Sequence, residues 1–558
     1  MKRTWIILAL LASVGSLMAQ QQDTTHVERQ INIEKEYTPE IKDTKRKDIE
    51  YKVEETAVQP SDLRYSNYSL PIVPKTPFSP VEAERQNAVK LKAAKSGYAE
   101  IGAGFNMNWR AEGYYKILNT EENLLDVYLN HWGICYGGKQ NPKTYLNSKI
   151  AFDYKHFIYS GHELHANVGY RNLYYSFYGI DSTQWDSLKT YDMLQYQCRH
   201  TLNLDFNAHS TKSMNGWDYK AEIGYRMDDL QYSDLAELYM YGGATGLKAF
   251  GKHQIELRLR AEGYIYSNVG NRLANCNNAL VELSPYYNLN LKWMDLHMGA
   301  RLLFSCVRGS VFNAMPDVTA TFHLHKMVRI TAAALGDYHT NSVASLMDGN
   351  PYYIFQDTLY NTYTPADFRL GITITPASGL MLNLRAAYAF VNNDVNYMNI
   401  VSDDGKFNSR YFEAEFINTQ HLSASASASY TLKDRYLFHA DFTWNRWYAN
   451  EYAEHLSYKP ECELHAGVEL MPIDGLRFDV NYYLATGRKY YDVLKGESVK
   501  MTNIHDLNIG ASYLIKKLVS VYVHANNILG SVENLRWQRW NGYDNLGFNM
   551  TFGAKISF

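Results

Sequence analysis

From Tyr98 to the end of the chain, apolar and polar residues take turns at every second position, in segments of roughly nine to fifteen residues. Period-two alternation sends successive side chains to opposite faces of a sheet, so each segment predicts a β-strand with one apolar and one polar face. The clearest case sets Ile255, Leu257, Leu259, Ala261, Gly263 and Ile265 against Gln254, Glu256, Arg258, Arg260, Glu262 and Tyr264. Trp217, Tyr219, Ala221, Ile223, Tyr225 and Met227 face away from Asp218, Lys220, Glu222 and Arg226, and Leu204 and Phe206 oppose Asn203 and Asp205. Toward the carboxyl end Leu422, Ala424, Ala426, Ala428 and Tyr430 alternate with four serines, and Phe438, Phe442, Val468 and Phe478 head similar runs. The last fourteen residues predict one strand, with Phe548, Met550, Phe552, Ala554, Ile556 and Phe558 on its apolar face.

The connections fall into two kinds. Short ones at Ser160-Gly161-His162, Gly251-Lys252, Lys433-Asp434, Pro472 to Gly475 and Lys516-Lys517 alternate with longer polar ones near 179–193, 268–278, 341–361, 393–410, 487–503 and 528–545. Short turns on one rim and long loops on the other predict an all-β fold: a transmembrane antiparallel β-barrel of about 22 strands, spanning 98–558. The turns are assigned to the periplasm and the long loops to the cell exterior. Pro316 weakens one strand, because proline has no N–H to give to a ladder. Tyr174, Tyr175, Trp447 and Tyr448, near strand ends, are expected in the girdles where a ring has one apolar and one wet side.

Composition fits a barrel and excludes helical spans. The chain has 558 residues, 46% hydrophobic and 14% aromatic, with 47 Tyr, yet its mean hydropathy is -0.38. After the first twenty residues no run of eighteen apolar residues occurs, the length a spanning helix needs. A net charge of -3 argues against a nucleic-acid partner. The five cysteines, Cys135, Cys198, Cys276, Cys306 and Cys462, are scattered without a close pair, which is neither a disulfide framework nor a metal site.

The amino-terminal part differs in kind. Residues 1–19 read as a signal peptide, with Lys2 and Arg3 before the apolar stretch Trp5 to Val14 and Ala19 before the cut. Residues 20–97 are rich in charge and proline, and predict a mostly irregular periplasmic extension with one helix over Glu82 to Lys95. Within it Ile31, Ile33 and Tyr37 belong to a short alternating run that ends at Pro39, suited to adding as a strand to a periplasmic partner such as an energy-transducing protein; the alternative is a plain tether.

Val521-Tyr522-Val523-His524-Ala525-Asn526-Asn527-Ile528-Leu529-Gly530, then Trp540, Tyr543, Gly547 and the final strand, resemble the carboxyl-terminal turn, loop and closing strand of TonB-dependent-receptor-like outer-membrane barrels typical of Bacteroidota. Glu36-Tyr37-Thr38-Pro39, and Asn341-Ser342 through Asn350-Pro351-Tyr352, are similar to a subset of that group. The resemblance implies contact with outer-membrane lipid and recognition of the strand ending at Phe558 by barrel-assembly machinery. It also implies a globular plug, and here the sequence departs: only about 77 residues separate Gln20 from Gly97, too few for a standard one.

No catalytic constellation, cofactor motif or metal site stands out. His162 and His165 fall on opposite strand faces, whereas His323 and His325 share one face near a turn. The polar face carries Asp205, Asp218, Lys220, Glu222, Arg226, Glu256, Arg258, Arg260, Glu262, Arg385, Glu461, Glu463 and Glu469, mixed charges that predict bracing ladders rather than an ion filter. The run Arg536 to Tyr543 is expected to pack as an aromatic loop, or to stack a sugar or aromatic ligand. The sequence therefore points to a receptor or transport barrel, not an enzyme, for nutrient uptake with partner proteins. The alternatives are a structural or assembly scaffold in an envelope complex, or a passive porin.

Overall fold

The computed structural model describes residues 95–558, apart from 106, 137–142, 160, 180–195, 214, 232, 269–275, 307–310, 356–357, 402–407, 517 and 546. The signal peptide, the extension, its helix and the run bearing Ile31, Ile33 and Tyr37 lie outside the described residues.

A single antiparallel sheet of 22 strands closes on itself. Each strand pairs with its sequence neighbours in the sheet, and the first, Gly97–Gly104, also pairs with the last, Asn549–Ser557, in register from Tyr98 opposite Ser557 to Gly104 opposite Thr551. Gly97 and Phe558 exchange both backbone hydrogen bonds at 3.0 Å, which seals the ring at its base. Closure leaves the wall of the barrel with no free edge, so there each strand pairs its backbone polar groups on both sides.

The alternation reads out as predicted. Ile255, Leu257, Leu259, Ile223, Phe206, Phe438, Phe442 and Phe552 are exposed on the outer wall, while the charged residues face inward and pair. Arg258 contacts Glu256, Lys220 and Arg260 share Glu222 at 2.6 and 3.1 Å, and Arg226 meets Asp228 at 2.6 Å. Several of these pairs are two residues apart on one strand rather than across strands; the Arg260 to Glu222 pair reaches over the intervening strand at Gly243, where a Cβ would sit 3.2 Å from the Glu222 side chain. Pro316 stands opposite Ala300, and its strand joins the next only from Asp317 onward, so the missing N–H falls where no ladder bond is needed.

The long connections are more built than the pattern foretold. The segment near 393–410 is largely strand: Leu380–Val401 and Asn408–Leu432 rise beyond the rest of the rim as a long hairpin. The 341–361 segment holds a helix, Val343–Gly349, the 487–503 segment a hairpin of Lys489–Asp492 and Glu497–Lys500, and the 528–545 segment a smaller hairpin of Gln538–Trp540 and Tyr543–Asp544. The closing strand starts only at Asn549, because Gly547, at φ 70°, turns the chain into it. Of the four expected girdle rings, Tyr448 is exposed, but Tyr175 is buried and Trp447 stacks face to face on His421 with 4.7 Å between centroids. Polar alternation breaks near these strand ends, and the inward ring finds a partner there.

Candidate functional site

The segment between the strands Val328–His339 and Thr362–Ala377 folds over the mouth of the barrel on the long-loop rim. Its helix is short and needs its caps. The Ser342 hydroxyl oxygen accepts from the backbone N–H of Ser345 at 3.1 Å, and the Ser345 hydroxyl oxygen accepts from the Ser342 N–H at 2.8 Å, a reciprocal capping box. Val343, Leu346 and Met347 form one face and are buried. They join a cluster with Leu173, Tyr175, Phe177, Leu230, Leu235, Tyr266, Cys276, Tyr353 and Tyr411. Leu173, Tyr175, Leu230, Leu235 and Tyr266 come from the inner side of the strands His162–Ser176, Trp217–Leu230, Leu235–Phe250 and His253–Asn268, Tyr411 from the long hairpin, Phe177 and Cys276 from connections, and Tyr353 from the same segment as the helix, so the helix is seated well away from the strands that carry it.

Polar contacts fix the same seat. Arg199, 3% exposed, places its Nε 2.8 Å from Asp228 and its Nη1 2.8 Å from Asp348 on the helix. Asp228 also accepts from Thr201 at 2.6 Å and pairs with Arg226, so its charge is matched on three sides. Buried Glu237 accepts the Ala344 N–H at 2.9 Å, and Tyr397 donates to the Leu346 carbonyl at 2.7 Å. A buried charge pair stabilises little by itself but is costly to break, which makes Arg199 with Asp228 and Asp348 a latch.

The lid continues beyond the helix. Tyr352 and Ile354 exchange backbone bonds with Phe412 at 3.0 and 2.9 Å, and the Tyr352 ring stacks on Tyr543 with 3.4 Å between centroids. Tyr178 meets Tyr543 edge-on at 4.9 Å and donates to the Asp544 carbonyl at 3.1 Å. Gly179 permits this approach, since a Cβ there would lie 2.3 Å from the Tyr543 ring. Trp540 packs against Tyr397, Phe412 and Tyr458. Arg488, buried, donates to the carbonyls of Gln538, at 2.7 Å, and Arg539; burial pulls its guanidinium down to about 10. Burial likewise pushes the Tyr178 phenol up to about 12 and holds the Tyr352 phenol well above its ordinary range. The outer loops thus form one packed layer of aromatic rings, with no titration near neutrality among these three groups.

Two cavities adjoin this layer. One, of about 370 Å³, lies below the helix against the inner wall, with Lys149, Arg171, Arg226 and Asp348 among its walls. The other, of about 490 Å³, lies between the lid and the strands Ile504–Ile515, Val519–Asn526 and Asn549–Ser557. Tyr178, Tyr352, Trp540 and Tyr543 supply aromatic surface there, and Asp506, Asn508, Asn526, Asn527 and Asn545 supply amides and a carboxylate.

The histidine readings resolve separately. His162 bonds the Tyr219 hydroxyl at 2.9 Å, whereas His165 pairs with Asp153 at 2.5 Å. His323 is 2.7 Å from Asp295; a register shift separates it from His325, which accepts from the Met327 N–H at 3.3 Å. Among the described residues no group of three or more His, Cys, Asp or Glu side chains is placed to hold a metal ion. The run Arg536 to Tyr543 takes the packed-loop reading, and it also borders the larger cavity. The sequence reading missed the lid itself. Its signal was the stretch Leu173 to Tyr178, apolar or aromatic on both faces apart from Ser176, where a wall that faced only water on its inner side would alternate.

No protein-family model matches the sequence, and no curated protein does. Solved structures do resemble the fold. A mutant of the ferric enterobactin receptor PfeA from Pseudomonas aeruginosa is similar at a TM-score of 0.63, 12% identity, over 83% of this chain and 80% of that one. The P. aeruginosa FpvA bound to heterologous pyoverdines is similar at 0.61 and 13% identity, over 83% and 71%, and the siderophore receptor PirA from the same species at 0.59 and 10%, over 83% and 80%. At these identities the likeness is one of fold.

Proposed function

We propose that this chain is an outer-membrane receptor or transport barrel whose mouth is closed by its own outer loops. The observation that carries the reading is the lid: a capped helix held by an apolar cluster and by Arg199 across the lumen of a 22-stranded barrel. A passive porin has no use for such an obstruction, and a barrel this wide conducts freely unless something fills it. The apolar outer wall supports placement in the outer membrane as a multi-pass barrel, with the rim of Gly97 and Phe558 toward the periplasm. The likeness to siderophore receptors supports the transport class without naming the nutrient. In the finer form of the proposal, the chain is a reduced TonB-dependent-type barrel of Bacteroidota. Its signal peptide is removed, barrel-assembly machinery reads the strand ending at Phe558, and Ile31, Ile33 and Tyr37 engage an energy-transducing periplasmic partner.

One observation favours a scaffold barrel as the second reading: the lid buries a true hydrophobic core, which is deep for a gate. Single-channel conductance of the full-length protein in a planar bilayer separates the readings. Steady large currents at rest refute a closed receptor. A silent barrel that opens when residues 343–355 are deleted supports it, and silence in both forms supports the scaffold.

A further inference from the structure

The lipid-facing wall marks its own membrane level. On the strands Asn123–Tyr136 and Lys143–Ile158 the outward residues Leu125, Val127, Leu129, Ile150 and Phe152 are apolar, and hydrogen-bonded polar groups bound this band at both ends. Toward the short turns, Asn123 accepts from the Tyr154 hydroxyl at 2.7 Å and lies 2.9 Å from His156 Nδ1. Toward the long loops, the Trp109 indole N–H donates to His131 Nε2 at 2.7 Å, and His131 Nδ1 lies 2.7 Å from the Ser148 hydroxyl oxygen. From His156 to Ser148 the wall rises about 20 Å at the usual strand rise and tilt, near the apolar height of such barrels, so Ser148 stands where the acyl chains of the outer leaflet begin. The upper relay has a direction. An indole N–H only donates, so His131 Nε2 accepts, its Nδ1 carries the proton and donates to Ser148, and the Ser148 O–H is left to donate to a further acceptor.

The same stretch of wall is hollow. A groove of about 460 Å³ is lined by two register rows of outward residues, the outer row ending in His131 and Ser148 and the inner one passing through Leu129 and Ile150, over a floor of the small Ala99, Ala111 and Gly113. Glu100, Glu112, Asn130 and Lys149 adjoin it from the alternate, lumen-facing positions. There Arg110 pairs with the two glutamates at 3.5 and 2.6 Å, Asn130 donates to Glu112, and Lys149 opens on the cavity below the helix. We propose that this groove binds an acyl chain of an outer-leaflet lipid, whose ester or amide carbonyl accepts the Ser148 hydroxyl. The groove is continuous with the wall that faces lipid, so acyl chains are what reaches it, and a chain lying in it has its carbonyl at the level where Ser148 donates. A second barrel fits poorly, since two convex walls meet along a line and leave a groove unfilled. The site goes beyond the transport reading and rests only on the membrane placement of the wall.

Native mass spectrometry of the full-length protein, released from tetraethylene glycol octyl ether, a detergent without a carbonyl, tests it. The probes are dipalmitoyl phosphatidylethanolamine, its dihexadecyl ether analogue and lipid A. One acyl-linked lipid is expected to stay on each chain, and the ether analogue to bind about tenfold more weakly than its diacyl parent, the worth of one hydrogen bond. Ser148→Ala is expected to weaken the diacyl lipid about tenfold and to leave the ether analogue unchanged, because both changes remove the same bond. Gly113→Phe puts a ring into the groove from a position where a Cβ has 3.9 Å to its nearest neighbour, and is expected to remove the bound lipid. Ala440→Phe, outward on another part of the wall, leaves it in place. The site is overturned if no acyl-linked lipid is retained, if diacyl and ether lipids bind alike, if Ser148→Ala weakens both equally, or if Gly113→Phe has no effect. A dimer that Gly113→Phe dissociates would give the groove to a second copy and overturn it as well. Lipid retention is read without conductance, so a barrel that conducts at rest refutes the receptor reading and leaves this site standing.

Discussion

Leu346→Ala tests whether the lid is held shut by its own core. The side chain is 2% exposed and sits in the cluster that seats the helix. Truncating such a leucine costs about 2–5 kcal/mol, the spread reflecting how far the site can collapse around the hole. The barrel ladder does not pass through residue 346, so the cost falls on the closed lid rather than on the strands. At 1.4 kcal/mol per tenfold, even a loss of about 2 kcal/mol raises the open population roughly thirtyfold. Cys276 is a native reporter: it is 3% exposed and belongs to the same cluster, whereas Cys306 is exposed and lies outside it. Alkylation with a small maleimide, resolved site by site by mass spectrometry, should speed up about thirtyfold or more at Cys276 and stay unchanged at Cys306. Equal rates at Cys276 in parent and variant, with the barrel folded, would refute the argument that this cluster holds the lid.

Further substitutions probe the parts separately. Arg199→Met leaves buried Asp228 with Arg226 as its one cation and should cost about 3 kcal/mol, against under about 1 kcal/mol for Asp348→Asn, whose own carboxylate is 48% exposed; thermal unfolding in detergent compares the two. Gly179→Ala drives a methyl into the Tyr543 ring and should loosen the small hairpin, seen as faster tryptic cleavage after Arg536 and Arg539, while Gly246→Ala, with open space around it, should change nothing. Leu259→Arg puts a charge on the outer wall and should cost about 2–4 kcal/mol in folding into lipid bilayers, whereas Ser425→Arg on the inner side should be tolerated.

The wall was legible in the sequence because a barrel strand repeats one physical demand, lipid on one face and water on the other, and alternation records it residue by residue. The lid was not, because its demand is local: Leu173, Tyr175 and Leu235 face inward as the period requires, and only their partner helix, more than a hundred residues away, explains why they are apolar. Loop length likewise misled near 393–410, where polar residues such as Asn396 and Asn399 belong to strand and are buried against the 453–458 turn; Asn396 donates to the His455 carbonyl at 2.9 Å and accepts from the Ser457 N–H at 2.8 Å. The larger cavity was half visible, since Trp540 and Tyr543 mark its loop, but Asp506 lies on another strand and Asn527 in the turn that follows Val519–Asn526.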